Sequence, residues 1–173
     1  GIHLLGYYPR FLQIMATDEA VDVMDIKGKK MRSYSEVIAS MITAMGGTPV
    51  AVAWPEVYTA IQTGVADGLL TGAGGIYLAK VHTLAPYIYD VGFLHSIFVT
   101  GVNKDLWDGL TSEVREIVLE EFAAAEGLTY MTFEGEKAGI FDLMLGSGAE
   151  SYTKVDDPKF FEMMIEKVSK PLM

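Results

Sequence analysis

Apolar residues recur along the chain with two periods, and glycine, proline and short polar runs cut the pattern into strand and helix segments. Ile2 to Tyr8 reads as a buried strand closed by Pro9; Arg10 to Ala20 has no clean period and is expected as a loop or short strand. Asp25-Ile26-Lys27-Gly28-Lys29 is a turn, with Gly28 where a positive φ is needed, and Lys30 to Arg32 is a short strand. Ser33-Tyr34-Ser35-Glu36 has the spacing of a capping box, so a helix is expected from Ser33. Val37, Ile38, Met41, Ile42 and Met45 give that helix one apolar stripe, and Gly46-Gly47 stops it.

Thr48 to Ala53 then reads as a strand, which makes this stretch a strand–helix–strand unit of an α/β fold. Pro55, Glu56 and Gly64 delimit a short helix whose buried side is Val57, Ala60 and Ile61. Val65 to Leu70 is a strand running into the glycine-rich Thr71-Gly72-Ala73-Gly74-Gly75, and Ile76 to Leu84 is a short helix. Tyr87 to Thr100 suits one or two buried strands. Thr111 caps a long helix from Ser112, which Gly127, Gly135 and Gly139 are expected to bend or break. Gly146-Ser147-Gly148 ends it, Ser151 to Val155 is a strand, and Asp157-Pro158 opens a last helix.

Half of the 173 residues are apolar, ample for a core, and neither a repeat nor a low-complexity tract is present. The net charge of −10, from 13 basic and 23 acidic side chains, excludes the general basic footprint of a nucleic-acid binder but leaves room for a local basic pocket. Absent cysteine excludes thiolate metal sites and thiol nucleophiles. The start, Gly1 to Pro9, carries no secretion signal and sets off directly in a strand-like segment, as a chain cut at a lobe boundary would. No apolar run reaches the length of about 18 residues that a membrane span needs.

Arg32 is the position with the most chemical promise. It stands at a strand end just before a helix, where open α/β sheets bind ligands and where free amides already favour an anion. Its planar fork matches both oxygens of a carboxylate; the alternative is a surface arginine, or one paired with Asp25 or Glu36. Trp54 lies at a second strand-to-helix junction and either lines the same crevice or packs in the core. Tyr58, one turn further, offers a hydroxyl or is simply half-buried. Thr71 to Gly75 lacks the Lys-Ser/Thr ending of a phosphate loop and the spacing of a dinucleotide fingerprint, so no nucleotide cofactor is expected. His3, His82 and His95 have neither metal-ligand nor triad spacing and read as structural or exposed, so no metal site is expected.

Three blocks in order, Asp25 to Arg32, Met45-Gly46-Gly47-Thr48-Pro49-Val50, and Trp54-Pro55-Glu56-Val57-Tyr58-Thr59-Ala60-Ile61-Gln62-Thr63-Gly64-Val65-Ala66-Asp67-Gly68, closely resemble the extracytoplasmic solute-binding proteins of TRAP transporters, the DctP-like family. The likeness continues more loosely through Asn103 to Trp107 and Leu110-Thr111. It implies an α/β, periplasmic-binding-protein-like (type II-like) fold of two lobes with mixed sheets and a long hinge-spanning helix, here incomplete because most of the first lobe is missing. Residues 1–100 would be mostly the ligand-binding lobe with crossover strands, and residues 101–173 the long helix and the segments linking the lobes.

The resemblance also implies a periplasmic receptor, not an enzyme, that captures an organic acid and delivers it to TRAP membrane permease subunits. Arg32 occupies the position of the family's carboxylate-binding arginine, and Trp54 that of its pocket aromatic. Thr71 stands where sialic-acid and dicarboxylate receptors commonly carry Asn, a departure that points to a smaller or more apolar acid. Thr71 and nearby glycine amides such as Gly72 would add hydrogen bonds, and Arg10 would correspond to a second, upstream arginine. The rival readings are an α/β enzyme acting on a small anionic substrate, which lacks an evident nucleophile or acid–base pair, and an interaction module with a flat apolar patch.

Overall fold

The computed structural model describes residues 1–172, with side chains for residues 1–7, 13–128 and 139–171. Six strands form one mixed sheet in the order β3-β2-β4-β1-β5-β6. They are β1 (Ile2–Thr17), β2 (Lys30–Ser33), β3 (Thr48–Ala51), β4 (Gly68–Thr71), β5 (Tyr87–Asn103) and β6 (Ser151–Lys154). β2 runs parallel to both β3 and β4, β5 runs parallel to β6, and β1 pairs antiparallel with β4. The helices are α1 (Glu36–Ala44), α2 (Val57–Gln62), α3 (Ala73–Leu78), α4 (Lys104–Gly109), α5 (Ser112–Leu145), α6 (Pro158–Met164) and α7 (Lys170–Leu172).

The chain divides into two compact units, one of Gly1–Phe11 with His95–Ala138 and one of Leu12–Leu94 with Gly139–Met173. β1, β5 and α5 each run on from one unit into the other.

In the second unit, period-two alternation sends neighbouring residues to opposite faces of the sheet. Met15, Leu70, Tyr89 and Val91 join Ile38, Met41 and Ile42 of α1 and Phe160 and Met164 of α6 in one core. Ile14, Ala16, Leu69 and Ile88 join Val57 and Ile61 of α2, Ala73 and Ile76 of α3 and Phe141 and Met144 of α5 in the other. Both faces are therefore covered, as a sheet built on strand–helix–strand units requires. Gly68 is forced by this packing: a Cβ there would lie 2.2 Å from the Ala16 carbonyl oxygen and 2.9 Å from Met31 Cε. At the edge, the Thr48 amide donates inward to the Lys29 carbonyl at 2.8 Å, so the next residue, Pro49, turns its nitrogen outward.

In the first unit, Asn103 caps α4, its Oδ1 accepting from the amides of Asp105 at 2.9 Å and Leu106 at 3.1 Å. Trp107 is buried and stacks on His3, with ring centroids 4.3 Å apart. Arg115 Nε donates to the Trp107 carbonyl at 2.9 Å, and Thr111 Oγ1 accepts from the Val114 amide at the start of α5.

Four local expectations are corrected. β1 is one 16-residue strand, not a strand closed at Pro9, and Ile2, Leu4 and Tyr7 are exposed; an apolar run does not say which part of it will be covered. The cap of α1 is Ser35, whose Oγ accepts from the Ile38 amide at 3.3 Å, while Ser33 is spent as the last residue of β2. The helix expected over Ile76 to Leu84 already starts at Ala73 and ends at Leu78. α5 is a single helix of 34 residues, so its glycines do not break it.

Candidate functional site

β2 and β3 are parallel and end side by side, Arg32 pairing with Val50 and Ser33 with Ala51. The chain leaves β2 for α1 and leaves β3 for a 3₁₀ turn at Trp54–Glu56, which opens a crevice outside the carboxyl ends of the strands. A cavity of about 660 Å³ occupies it, with Arg32, Tyr34, Ser35, Glu36, Val52 and Trp54 in its wall. That volume lies within the range of small-molecule sites, about 300–1,000 Å³.

Arg32 follows Met31, which packs in the α1 core, so alternation turns the guanidinium to the other face. It is only 4% exposed. Nε donates to the Val52 carbonyl at 3.0 Å, and the guanidinium carbon lies 5.1 Å from the centre of the Tyr34 ring and 5.5 Å from that of Trp54. Tyr34 is held from across the sheet by Gln13, whose Nε2 donates to the phenol oxygen at 2.8 Å. Burial pulls the Arg32 pKa below its ordinary value, with Tyr34 acting in the opposite direction. An arginine starts so high that it stays a cation at neutral pH.

Among the described residues no carboxylate forms an ion pair with Arg32. Of the two partners considered from sequence, Asp25 accepts from the Lys27 amide, and Glu36 lines the same cavity without bridging to the guanidinium. A buried cation held by one carbonyl and two rings has most of its hydrogen-bonding fork unspent.

Trp54 is 44% exposed and shares the cavity with Arg32. Thr71, buried at the end of β4, and Gly72, whose extended backbone leads into α3, do not line that cavity. Thr71 comes near it through Gly75, where a Cβ would sit 3.0 Å from Trp54 Cη2 and 3.6 Å from Thr71 Oγ1. Tyr58 in α2 is partly exposed and also outside the cavity wall. Arg10 lies outside the residues whose side chains are described.

Tyr34, Gln13 and Gly75 escaped the sequence reading. Tyr34 had a usable signal, an aromatic two residues after Arg32 at a strand-to-helix junction, but the capping-box pattern absorbed it. Gln13 had none, since its partner lies 21 residues on.

Among the described residues no group of three or more His, Cys, Asp or Glu is gathered to hold a metal, and no helix is long and apolar enough to cross a membrane. His82 is buried, with Nε2 3.1 Å from Ser147 Oγ and its ring stacked on Tyr77, a structural arrangement.

The sequence model of the bacterial extracellular solute-binding protein, family 7, matches residues 1–171. The chain belongs to that family. Family 7 relatives include the C4-dicarboxylate-binding periplasmic protein DctP of Rhodobacter capsulatus, 32% identical over 75% of this chain and 39% of that protein. Another is the ectoine-binding periplasmic protein TeaA of Halomonas elongata, 26% identical over 91% of this chain and 47% of that one. Among solved structures, a Bordetella pertussis extracytoplasmic solute receptor binding pyroglutamic acid superposes with a TM-score of 0.88 at 29% identity, covering 99% of this chain and 57% of that one. A TRAP periplasmic solute-binding protein from Sulfitobacter with bound β-D-galacturonate gives 0.88 at 26% identity, covering 99% and 58%. The mixed α/β architecture is thus that of family 7 receptors, and these relatives are solute-binding proteins, not enzymes. The chain spans between 39% and 58% of their lengths.

Proposed function

We propose that this chain is the Arg32-bearing portion of a TRAP-type periplasmic receptor that captures a small organic acid and hands it to membrane permease subunits. The observation that carries the reading is the Arg32 guanidinium: buried, flanked by Tyr34 and Trp54, and ion-paired to no carboxylate among the described residues. Burying a cation without a countercharge is costly, and a guest carboxylate supplies that charge.

Arg32 is the anchor, forming a two-pronged contact with the ligand carboxylate. Trp54 and Tyr34 cover its carbon skeleton, and Thr71, with the Gly72 amide, would add further hydrogen bonds. C4-dicarboxylates, ectoine, galacturonate and pyroglutamic acid, the ligands of the relatives, all carry a carboxyl group, which supports the same chemistry here. Capture is a shift between open and closed states, with no bond made or broken.

Calorimetry against a panel of organic acids tests this reading. At least one acid is expected to bind wild type and to be lost in Arg32→Ala. Wild-type affinity in that variant overturns the anchor role, and turnover of an acid without a transporter overturns the receptor role.

A further inference from the structure

Gly74 and Gly75 are adjacent in α3, and glycine is a poor helix former, so each needs a reason to be there. Gly74 has none in its surroundings: a Cβ would meet only Ile140 Cδ1, at an ordinary 3.8 Å. Gly75 is different. A Cβ there would stand 3.0 Å from Cη2 and 3.5 Å from Cζ2 of Trp54, so the edge of the indole rests directly on bare helix backbone. The same ring lines the cavity, with the Arg32 guanidinium carbon 5.5 Å from the ring centre.

We infer that Gly75 is a specificity-determining position: lacking a side chain, it lets the Trp54 ring sit back against α3 and so sets the room beside Arg32 for the body of the ligand. The inference rests on the reading of the cavity as a carboxylate site. A methyl group at 75 requires the ring to give by a few tenths of an ångström. Being 44% exposed, Trp54 has freedom to move, and any move changes its spacing from the guanidinium. Larger residues at 75 narrow the selection further towards acids with small bodies, and Thr71 Oγ1, 3.6 Å from the same Cβ position, limits the alternative of moving α3 instead.

The two glycines supply their own control. Alanine improves helix propensity equally at both, so a difference between Gly74→Ala and Gly75→Ala reports the contact with Trp54 and not helix stability. Acetate, succinate, benzoate and galacturonate are titrated by calorimetry into wild type and both variants. Trp54 emission is followed in a Trp107→Phe background, since the chain has two tryptophans.

Gly75→Ala is expected to weaken benzoate and galacturonate relative to acetate by roughly fivefold, the order of coupling between residues in contact, and to shift Trp54 emission. Gly74→Ala is expected to change neither. In a Trp54→Phe background, which lacks the ring edge that meets position 75, Gly75→Ala is expected to have no effect on the ratio. An unchanged ratio of bulky to small acids in Gly75→Ala, or a penalty that persists alongside Trp54→Phe, overturns the inference. If wild type binds no acid at all, and Arg32→Ala is equally silent, the carboxylate reading fails and the specificity role falls with it. If acids bind and only the ratios stay fixed, the carboxylate reading stands and the role of Gly75 alone is refuted.

Discussion

The Nε–H of Arg32 donates to the carbonyl oxygen of Val52 at 3.0 Å, so the guanidinium is positioned by main chain from the neighbouring strand's exit. A neutral carbonyl fixes its direction while leaving its charge uncompensated, which a carboxylate partner would not do. In the proposed reading, position and charge are thus assigned to different groups.

Replacing Arg32 separates them. Arg32→Ala should lose about 2–5 kcal/mol of binding free energy for an organic acid, the usual cost of truncating one member of a desolvated charge pair. Arg32→Lys keeps the charge but not the fork, nor the Nε donor to Val52, and should recover only part of the loss. Calorimetry at two salt concentrations checks both. A lysine variant as tight as wild type would show that geometry is irrelevant.

Gly68→Ala should be among the most damaging single changes to stability. Its methyl group would meet the Ala16 carbonyl oxygen at 2.2 Å, an atom of the paired strand that cannot swing aside, as well as Met31 Cε. Strand separation or bending is needed, at about 3 kcal/mol. Urea unfolding measures it, with the midpoint falling and the slope unchanged.

The cap of α1 gives a sharp contrast between two serines. Ser35→Ala removes the acceptor for the Ile38 amide and should cost about 1 kcal/mol. Ser33→Ala touches no cap and should cost clearly less. Equal losses in thermal unfolding would restore Ser33 as the helix start.

Tyr152 gives an alkaline signature. Burial, and then the neighbouring Asp90 carboxylate, push its phenol up to about 12 from the ordinary 10.0. The folded protein therefore holds this proton more tightly than the unfolded chain does. The stabilisation is complete below the unfolded value and disappears as pH rises from about 10 through about 12. Tyr152→Phe should flatten that part of the curve of stability against pH, and the late-titrating part of the phenolate absorbance should shrink in that variant.

Much of the second unit was legible in the sequence because its signals are local. The apolar stripe from Ile38 to Met45, the stop at Gly46 with its φ of 88°, and the buried trio Val57, Ala60 and Ile61 all follow from spacing within one element. What was not legible depends on partners far along the chain. Whether Ser33 or Ser35 caps α1 is decided by how far β2 keeps pairing, and that depends on Val50 and Ala51. The exposure of Ile2 and Leu4 depends on what lies over them, which an apolar pattern does not encode. Within the candidate site, Arg32 and Trp54 were legible as two strand exits, whereas the contacts of Tyr34 and Gly75 depend on Gln13 and the Trp54 ring, far along the chain.

The outward nitrogen of Pro49 has a bearing on solubility. A free sheet edge invites another chain to extend it, and the invitation is issued by unpaired N–H groups. β3 is four residues long, and at Pro49 it withholds an N–H on its open side. The margin nearest the candidate site consequently offers an incoming strand one N–H fewer to pair with.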